Sequence, residues 1–280
     1  MNLLQQIKQS KLYPLFFLLK FPFWLPRLIA NEGFGGAIRW SLVRFHTLFA
    51  RVWDRSAGFY EQPIKEFKSK LGFSLIRRAE LLVYDEIFLD RCYDFTGFPE
   101  LLKQRPLHVL DFGMHHGLFM DYVLTLNRDA EIYGAEMSPD SFAVTRERFA
   151  GQKKIHLRQV AIGGTPRRLK VGSGTVSVEQ SIYMEQKDGL FDVEVVTPLA
   201  FLHHWELPAK RVTLLKMDIE GAEREVFENP ASIKPILQAT QAFVIEIHSE
   251  ADVELITRMC TDSGLGLVER RGINFFFRRK

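Results

Sequence analysis

The chain is poor in cysteine. Two residues, Cys92 and Cys260, stand among 280, and their separation matches no metal-binding spacing. A disulfide scaffold is thereby excluded, and two reduced thiols fit a reducing compartment such as the cytoplasm. There is no uninterrupted apolar run of the about 20 residues that a membrane-spanning helix needs. The N-terminal apolar stretch has no small-residue cleavage site, so it does not read as a secretory signal. Internal repeats and low-complexity tracts are absent. So is an N-P-P-Y-type run of the sort used on a flipped base, and so is the G-x-G-x-x-G turn of dinucleotide sites. What remains, 46% hydrophobic and 25% charged, is the composition of a globular domain with a sizeable core.

The net charge of +3 is unevenly spread. Residues 1–80 hold 13 Lys/Arg against 5 Asp/Glu, or +8, and the rest of the chain is acidic. Lys11 to Ala30 reads KLYPLFFLLKFPFWLPRLIA, in which prolines at 14, 22 and 26 and the cations Lys20 and Arg27 interrupt the apolar residues. The prolines are expected to break it into short helices. Two readings fit: helices packed on a catalytic domain, or a segment lying in a membrane interface with Trp24 and its aromatic neighbours at the acyl boundary. Residues 1–75 are therefore expected to form a basic, aromatic-rich helical extension or cap, with a break at Gly33, Gly35 and Gly36. Residues 76–280 are expected to form the catalytic domain.

The domain is organised around Leu107 to Glu136, LHVLDFGMHHGLFMDYVLTLNRDAEIYGAE. An apolar run ends in Asp111, Gly113 and Gly117 follow, a helical pattern runs from about Leu118 to Asn127, and a second apolar run ends in Glu136. Glycines let the backbone turn tightly, and the turn delivers a helix N-terminus that favours an anion. An acid ending the second strand can accept both hydroxyls of a ribose. A D-x-G-x-x-x-G turn is less glycine-rich than a pyrophosphate needs. It suits a nucleoside bearing an amino acid carboxylate, which is the chemistry of S-adenosylmethionine.

Further apolar runs alternate with helical patterns. Ile155 to Ile162 reads as a strand closed by Gly163-Gly164, and residues 165–197 as a small antiparallel excursion containing LKVGSG and FDVEVVT. Val212 to Ile219 and Ala242 to His248 read as buried strands, and the residues from Leu265 to Arg278 as a terminal hairpin. This alternation implies a parallel sheet with helices on both faces and a ligand crevice outside the carboxyl ends of the strands. Asp111, Glu136, Asp218 and Glu246 all fall at such ends. Asp218 with Glu220, and Glu246 with His248, share a period of two.

Lys216 to Glu223 reads KMDIEGAE. With DFGMHHG, GAEMSP, VAIGG and EIH, it resembles the FkbM family of S-adenosylmethionine-dependent methyltransferases over Val109 to His248. The resemblance implies an α/β class I methyltransferase (Rossmann-like) fold, a doubly wound and mostly parallel sheet with an antiparallel C-terminal hairpin, here with a helical N-terminal extension. It implies S-adenosylmethionine as cofactor, held by Asp111, Gly113, His115, Gly117 and Glu136, with Ala161 near the adenine edge. It also implies methylation of a hydroxyl on a saccharide, glycolipid or secondary metabolite. Met114, His115 and His116 replace the family's usual middle residues in D-x-G-A-N-x-G, which is expected to change how the methionine end is held. The leucine-aspartate pair often found before KMDIEGAE is replaced by Pro198-Leu199-Ala200.

Removing the proton from an acceptor hydroxyl calls for a positioned base. Asp218 or Glu220 is expected to hold or deprotonate the hydroxyl, with His248 as the second candidate. Catalysis is expected without a metal, although Asp218, Glu220 and His248 together form a possible Mg²⁺ set. Glu223 reads as a helix N-terminal acid. The alternatives are a non-catalytic binding module on the same fold, suggested by GMHHG, and a nucleic-acid methyltransferase, suggested by the basic first 80 residues. The expected partner is a small-molecule or saccharide acceptor rather than nucleic acid. The expected location is the cytoplasm, with peripheral membrane contact through residues 11–30 as the further option.

Overall fold

In a computed structural model, residues 13–54, 59–60, 62–171 and 191–279 are described. The chain divides into two compact units, Met1–Arg91 and Cys92–Lys280.

The first unit is built on helix α1, Tyr13–Trp53, followed by strands β1, Pro63–Lys68, and β2, Ser74–Arg77, which pair as an antiparallel hairpin. Helix α2, Arg78–Tyr84, then runs into a π-helical turn at Asp85–Leu89. Contrary to the expectation from sequence, Pro22 and Pro26 do not divide α1. An interior proline removes one N–H from the ladder and crowds the carbonyl of residue i−4, a cost of about 3 kcal/mol that packing of the unit outweighs here. The backbone leaves the helical region at Gly33, with φ 69° and ψ 171°, where a glycine was expected to act as a break. Phe17, Trp24, Leu28 and Trp40 face inward, and Phe17 packs on Trp24 and Trp40 at 5.4 and 6.0 Å between ring centres.

The first unit is thus a helix kinked at Gly33 plus a hairpin, and it runs to Arg91. Three contacts tie the stretch after β2 to α1 and to the hairpin. Arg44 Nε meets Asp85 Oδ2 at 2.8 Å with both side chains buried. Tyr84 OH donates to Glu32 Oε1 at 2.8 Å. Phe88 lies 5.2 Å from Phe73. These buried contacts join α2 and the turn after it to what precedes them.

The second unit begins with α3, Phe98–Leu102, and then alternates: β3 His108–Phe112, α4 Leu118–Leu126, β4 Glu131–Glu136, α5 Pro139–Arg148 and β5 Ile155–Gln159. After β6 Ala161–Ile162, β7 Arg167–Val171 and β8 Phe191–Val196 come α6 Pro198–His204, β9 Leu214–Met217, α7 Glu223–Phe227 and α8 Pro230–Ala239. The chain closes with β10 Ala242–Glu246, α9 Val253–Asp262, β11 Leu265–Arg271 and β12 Asn274–Arg279.

Seven strands form one sheet in the order β11-β12-β10-β9-β3-β4-β5. From β10 to β5 the pairs are parallel, and β12 runs antiparallel to both β10 and β11. The expected doubly wound sheet with an antiparallel terminal hairpin is present. Strands β3 and β9 are buried along their whole length, which is why they read as unbroken apolar runs rather than as alternation. Ser138 caps α5, its hydroxyl accepting from the Ser141 N–H at 3.4 Å, and Pro139 sits at the first helical position.

One expected strand is two. Ile155 to Ile162 divides at Val160: β5 stays in the main sheet, and β6 joins a three-stranded sheet with β8 and β7. Gly163 N–H donates to Val196 O at 3.0 Å, so the second half finds its ladder on β8 instead of β4. The expected antiparallel excursion is present as the pair β7–β8. Residues 172–174 of LKVGSG lie outside the described residues.

Candidate active site

The turn after β3 is dictated by contact. Gly113 has φ 78°, and a Cβ there would lie 1.7 Å from the carbonyl oxygen of Asp218. Gly117 has φ 80°, and a Cβ there would lie 2.6 Å from the Phe149 ring. The Gly113 and Met114 N–H groups both donate to Ala135 O, at 3.0 and 3.1 Å, which ties the turn to the end of β4. As the residue preceding α4, Gly117 supplies no side-chain cap, so the helix N-terminus keeps the N–H groups that favour an anion.

Glu136 ends β4 and is buried. Its Oε2 accepts the His115 N–H and its Oε1 the Ser138 N–H, each at 2.8 Å. Burial pushes its pKa up to about 6, against the pull of those two N–H groups. Each oxygen retains lone-pair capacity for a ribose hydroxyl. The carboxylate, the uncapped helix end and the glycine turn are the donor set that S-adenosylmethionine needs, so the residues present fit it.

Met114 and His115 follow different courses. Met114 is turned inward, its sulfur so close to Gly134 that a Cβ there would lie 2.4 Å from it. The larger residue in the turn is therefore accommodated within the sheet, opposite a glycine. His115 adopts φ 49°, and its ring stacks on His116 at 3.8 Å between ring centres.

Asp111 is fully buried beneath the turn. One of its oxygens lies 3.2 Å from Lys216 Nζ, which also donates to Gly113 O at 2.7 Å and lies 3.8 Å from Asp218 Oδ2. Burial raises the Asp111 pKa and Lys216 draws it back. Burial opposes the Lys216 charge, but Asp111, Asp218 and Glu246 outweigh it and hold the ammonium charged. Lys216 thus joins the turn to the second motif. The KMDIEGAE run displayed this lysine, and sequence reasoning gave it no task. Ala161 is buried with Val193, Val195 and Ala222, at the start of the small sheet.

The second half of the site lies at the ends of β9 and β10, which are neighbours in the sheet. Asp218 follows β9. Glu220 has φ 53° and Gly221 φ 95°, a left-handed pair that turns the chain into α7. His248 follows β10. Its Nε2 lies 3.3 Å from Glu220 Oε2 and 3.7 Å from Asp218 Oδ1, and its Nδ1 lies 3.1 Å from Glu223 Oε1. All three residues expected from sequence to carry catalysis therefore converge. Glu223 is 1% exposed, and the same Oε1 accepts the Ile219 and Gly221 N–H groups at 3.3 and 3.2 Å. It is a helix N-terminal acid, as read from sequence, and it also orients the imidazole, which was not foreseen.

These charges perturb one another. Burial disfavours a charged His248, but the hydrogen bond to Glu223 and the carboxylates of Asp218 and Glu220 outweigh it and push its pKa up to about 10. Burial and then Asp218 hold the Glu220 carboxyl above its ordinary range, with His248 pulling the other way. Glu246 adds a further acid, accepting from Tyr93 OH at 3.4 Å. Asp218, Glu246 and His248 each offer an atom within 4.8 Å of the others, a donor set suited in kind to a divalent cation. Chemically, the arrangement can hold a hydroxyl and take its proton on a carboxylate that a charged imidazole faces.

The methyltransferase FkbM domain model matches residues 111–261. Methyltransferase 1 of Beauveria bassiana is 27% identical over 167 residues, which make up 51% of this chain and 64% of that protein. The match thus spans less than two thirds of that relative. Among solved structures, a SAM-dependent methyltransferase from Aquifex aeolicus is 16% identical. The comparison covers 65% of this chain and 86% of that one, with a TM-score of 0.37. Aeropyrum pernix fibrillarin, in complex with natively bound S-adenosyl-L-methionine, is 12% identical, with coverage of 65% and 70% and a TM-score of 0.37.

Proposed function

We propose an acceptor and a base for this chain, which belongs to the methyltransferase FkbM family and is an S-adenosylmethionine-dependent methyltransferase. The acceptor is a hydroxyl on a saccharide, glycolipid or secondary metabolite. The base is the carboxylate pair of Asp218 and Glu220, with His248 as the charged partner that favours their ionised form. The observation that carries this reading is the chain of contacts Glu223–His248–Glu220/Asp218, set beside a cofactor turn whose Gly113 touches Asp218.

The cofactor, when bound, supplies an electrophilic methyl group. The chain does the rest. Glu136 would hold the ribose hydroxyls, and the α4 N-terminus would receive the carboxylate. Asp218 and Glu220 accept a hydrogen bond from the acceptor hydroxyl and align its oxygen for in-line attack. A carboxylate held above its ordinary pKa is a stronger base once ionised, which favours Glu220 for taking the proton. His248, fixed through Nδ1 by Glu223 and held charged, points Nε2 at Glu220 and draws its carboxyl back towards the ionised form that can take the proton. A hydroxyl needs this help because it must lose its proton during or before attack.

The experiment is methyl transfer from isotopically labelled S-adenosylmethionine into a panel of saccharides and lipid-linked glycans, with cofactor affinity measured alongside by calorimetry. Glu220→Gln is expected to retain cofactor affinity and lose roughly 10² to 10⁴ in turnover. Glu136→Gln should weaken the cofactor and leave the turnover of the saturated enzyme nearly unchanged. Unchanged turnover in Glu220→Gln excludes Glu220 as base. Label recovered on nitrogen rather than oxygen excludes the hydroxyl acceptor.

A further inference from the structure

The outward side of α1 is apolar over its whole described length. Before Gly33, Leu18, Leu19, Phe23, Leu25 and Ile29 are between 37% and 76% exposed, and the residues exposed between them are Pro22, Pro26 and Ala30. At 3.6 residues per turn these positions fill one continuous arc of roughly 160°. After Gly33, Phe34, Ile38, Leu42 and Phe49 are between 48% and 71% exposed and share an arc of roughly 80°. Scattered exposed hydrophobics are ordinary, but a contiguous set of this extent marks an interaction surface.

The charge on this helix identifies its partner. Among the described residues of α1, the exposed positions include no acid, and Arg39 and His46 are their only titratable members. Glu32 is turned inward, where it accepts from Ser69 Oγ at 2.6 Å, Tyr84 OH at 2.8 Å and the Lys70 N–H at 2.9 Å. Lys20 and Arg27 sit at one edge of the first arc, held by Asp90 and by the carbonyl of Leu89. A folded protein partner would present backbone and side-chain polar groups that this face has nothing to pair with. Acyl chains present none, and anionic headgroups match the exposed Arg39 and the edge cations Lys20 and Arg27, of which Lys20 is paired with Asp90. No helix among the described residues is long and apolar enough to cross a bilayer, so contact of this kind lies in the interface plane.

We propose that α1 seats the protein on an anionic lipid surface, with Phe23 and Phe34 at the acyl boundary and Arg39 at the headgroups. Trp24 has a different task from the one its sequence setting suggests. It is buried, and its Nε1 donates to Asp90 Oδ1 at 2.8 Å, so it anchors the helix to its own unit. The inference stands on the first unit and is independent of the methyl acceptor.

The test is sedimentation of the full chain with vesicles of phosphatidylcholine alone or mixed with phosphatidylglycerol, at low and high salt. The expected result is binding to both, tighter with phosphatidylglycerol, and weakened roughly tenfold or more by Phe23→Asp with Phe34→Asp. Because both rings are exposed, the variant should melt at the wild-type temperature. If the aspartates prevent folding, Phe23→Ser with Phe34→Ser gives the same reading. Wild-type protein left in the supernatant with both vesicles overturns the proposal. So does binding that high salt abolishes and the phenylalanine changes leave intact, which would assign it to basic residues elsewhere. Self-association that the variant dissolves, without vesicle binding, would make the face an interface between copies.

Discussion

Gly113 and Asp218 meet backbone to backbone: a Cβ on the glycine would lie 1.7 Å from the aspartate carbonyl oxygen. The turn after β3 and the loop after β9 are therefore one packed object. The Asp218 N–H also donates to Phe112 O at 2.9 Å, and Lys216 spans the same gap to Gly113 O.

The first consequence is steric. Gly113→Ala must move a backbone carbonyl as well as accept a positive φ, and neither relaxes cheaply. We expect a loss of about 2 kcal/mol or more of stability, together with loss of cofactor binding. Denaturant unfolding and calorimetry measure both, and a variant with wild-type stability would show that the two loops separate freely.

The second concerns Met114. Its sulfur occupies the space that a Cβ at Gly134 would take. Gly134→Ala should overpack the sheet and cost about 1–3 kcal/mol. Met114→Ala in the same chain should restore part of that loss. The double-mutant cycle is expected to show a favourable coupling between the two substitutions, and strict additivity would mean that the residues do not compete for space.

The third is a dependence on pH. A histidine whose folded pKa is raised from 6.5 to about 10 binds its proton more tightly in the folded state. Its contribution to stability is complete below 6.5 and is lost as pH rises towards about 10. The unfolding free energy should therefore fall across that window, and His248→Asn should flatten the slope. Glu136 gives the complementary case in binding. With its pKa pushed up to about 6, cofactor affinity should decline as pH falls through that value, since the protonated acid accepts ribose hydroxyls less well.

The fourth separates base catalysis from metal catalysis. Asp218, Glu246 and His248 have the donors for a divalent ion, and Asp218 is also proposed as part of the base. With a carboxylate base, methyl transfer should survive treatment with a strong chelator. Loss of turnover on chelation, restored by Mg²⁺ or Mn²⁺, would reassign these residues to Lewis-acid chemistry.

Local pattern was enough to place the strand, turn and helix around Asp111 and Glu136. Apolar runs at strand length, glycines that no Cβ could replace and acids at strand ends are written in consecutive residues, and so is the terminal hairpin. The KMDIEGAE run showed where the second loop would be. Sequence could not show contacts between distant segments. His248 and Glu220 meet because β10 lies beside β9, an adjacency set by packing and not by any local period. Asp111 reads as a cofactor residue in its motif, and only the fold shows it buried against Lys216 beneath the turn. The prolines of α1 read as breaks, but the helix passes through them, held by an aromatic core and by the buried contacts of Glu32 and Arg44. Local propensity is worth about a kilocalorie per residue and a proline about three, and packed side chains across a unit outweigh both. For this protein the order of elements and the residue types of the site were therefore sequence properties, whereas which side chains face each other was decided by the tertiary fold.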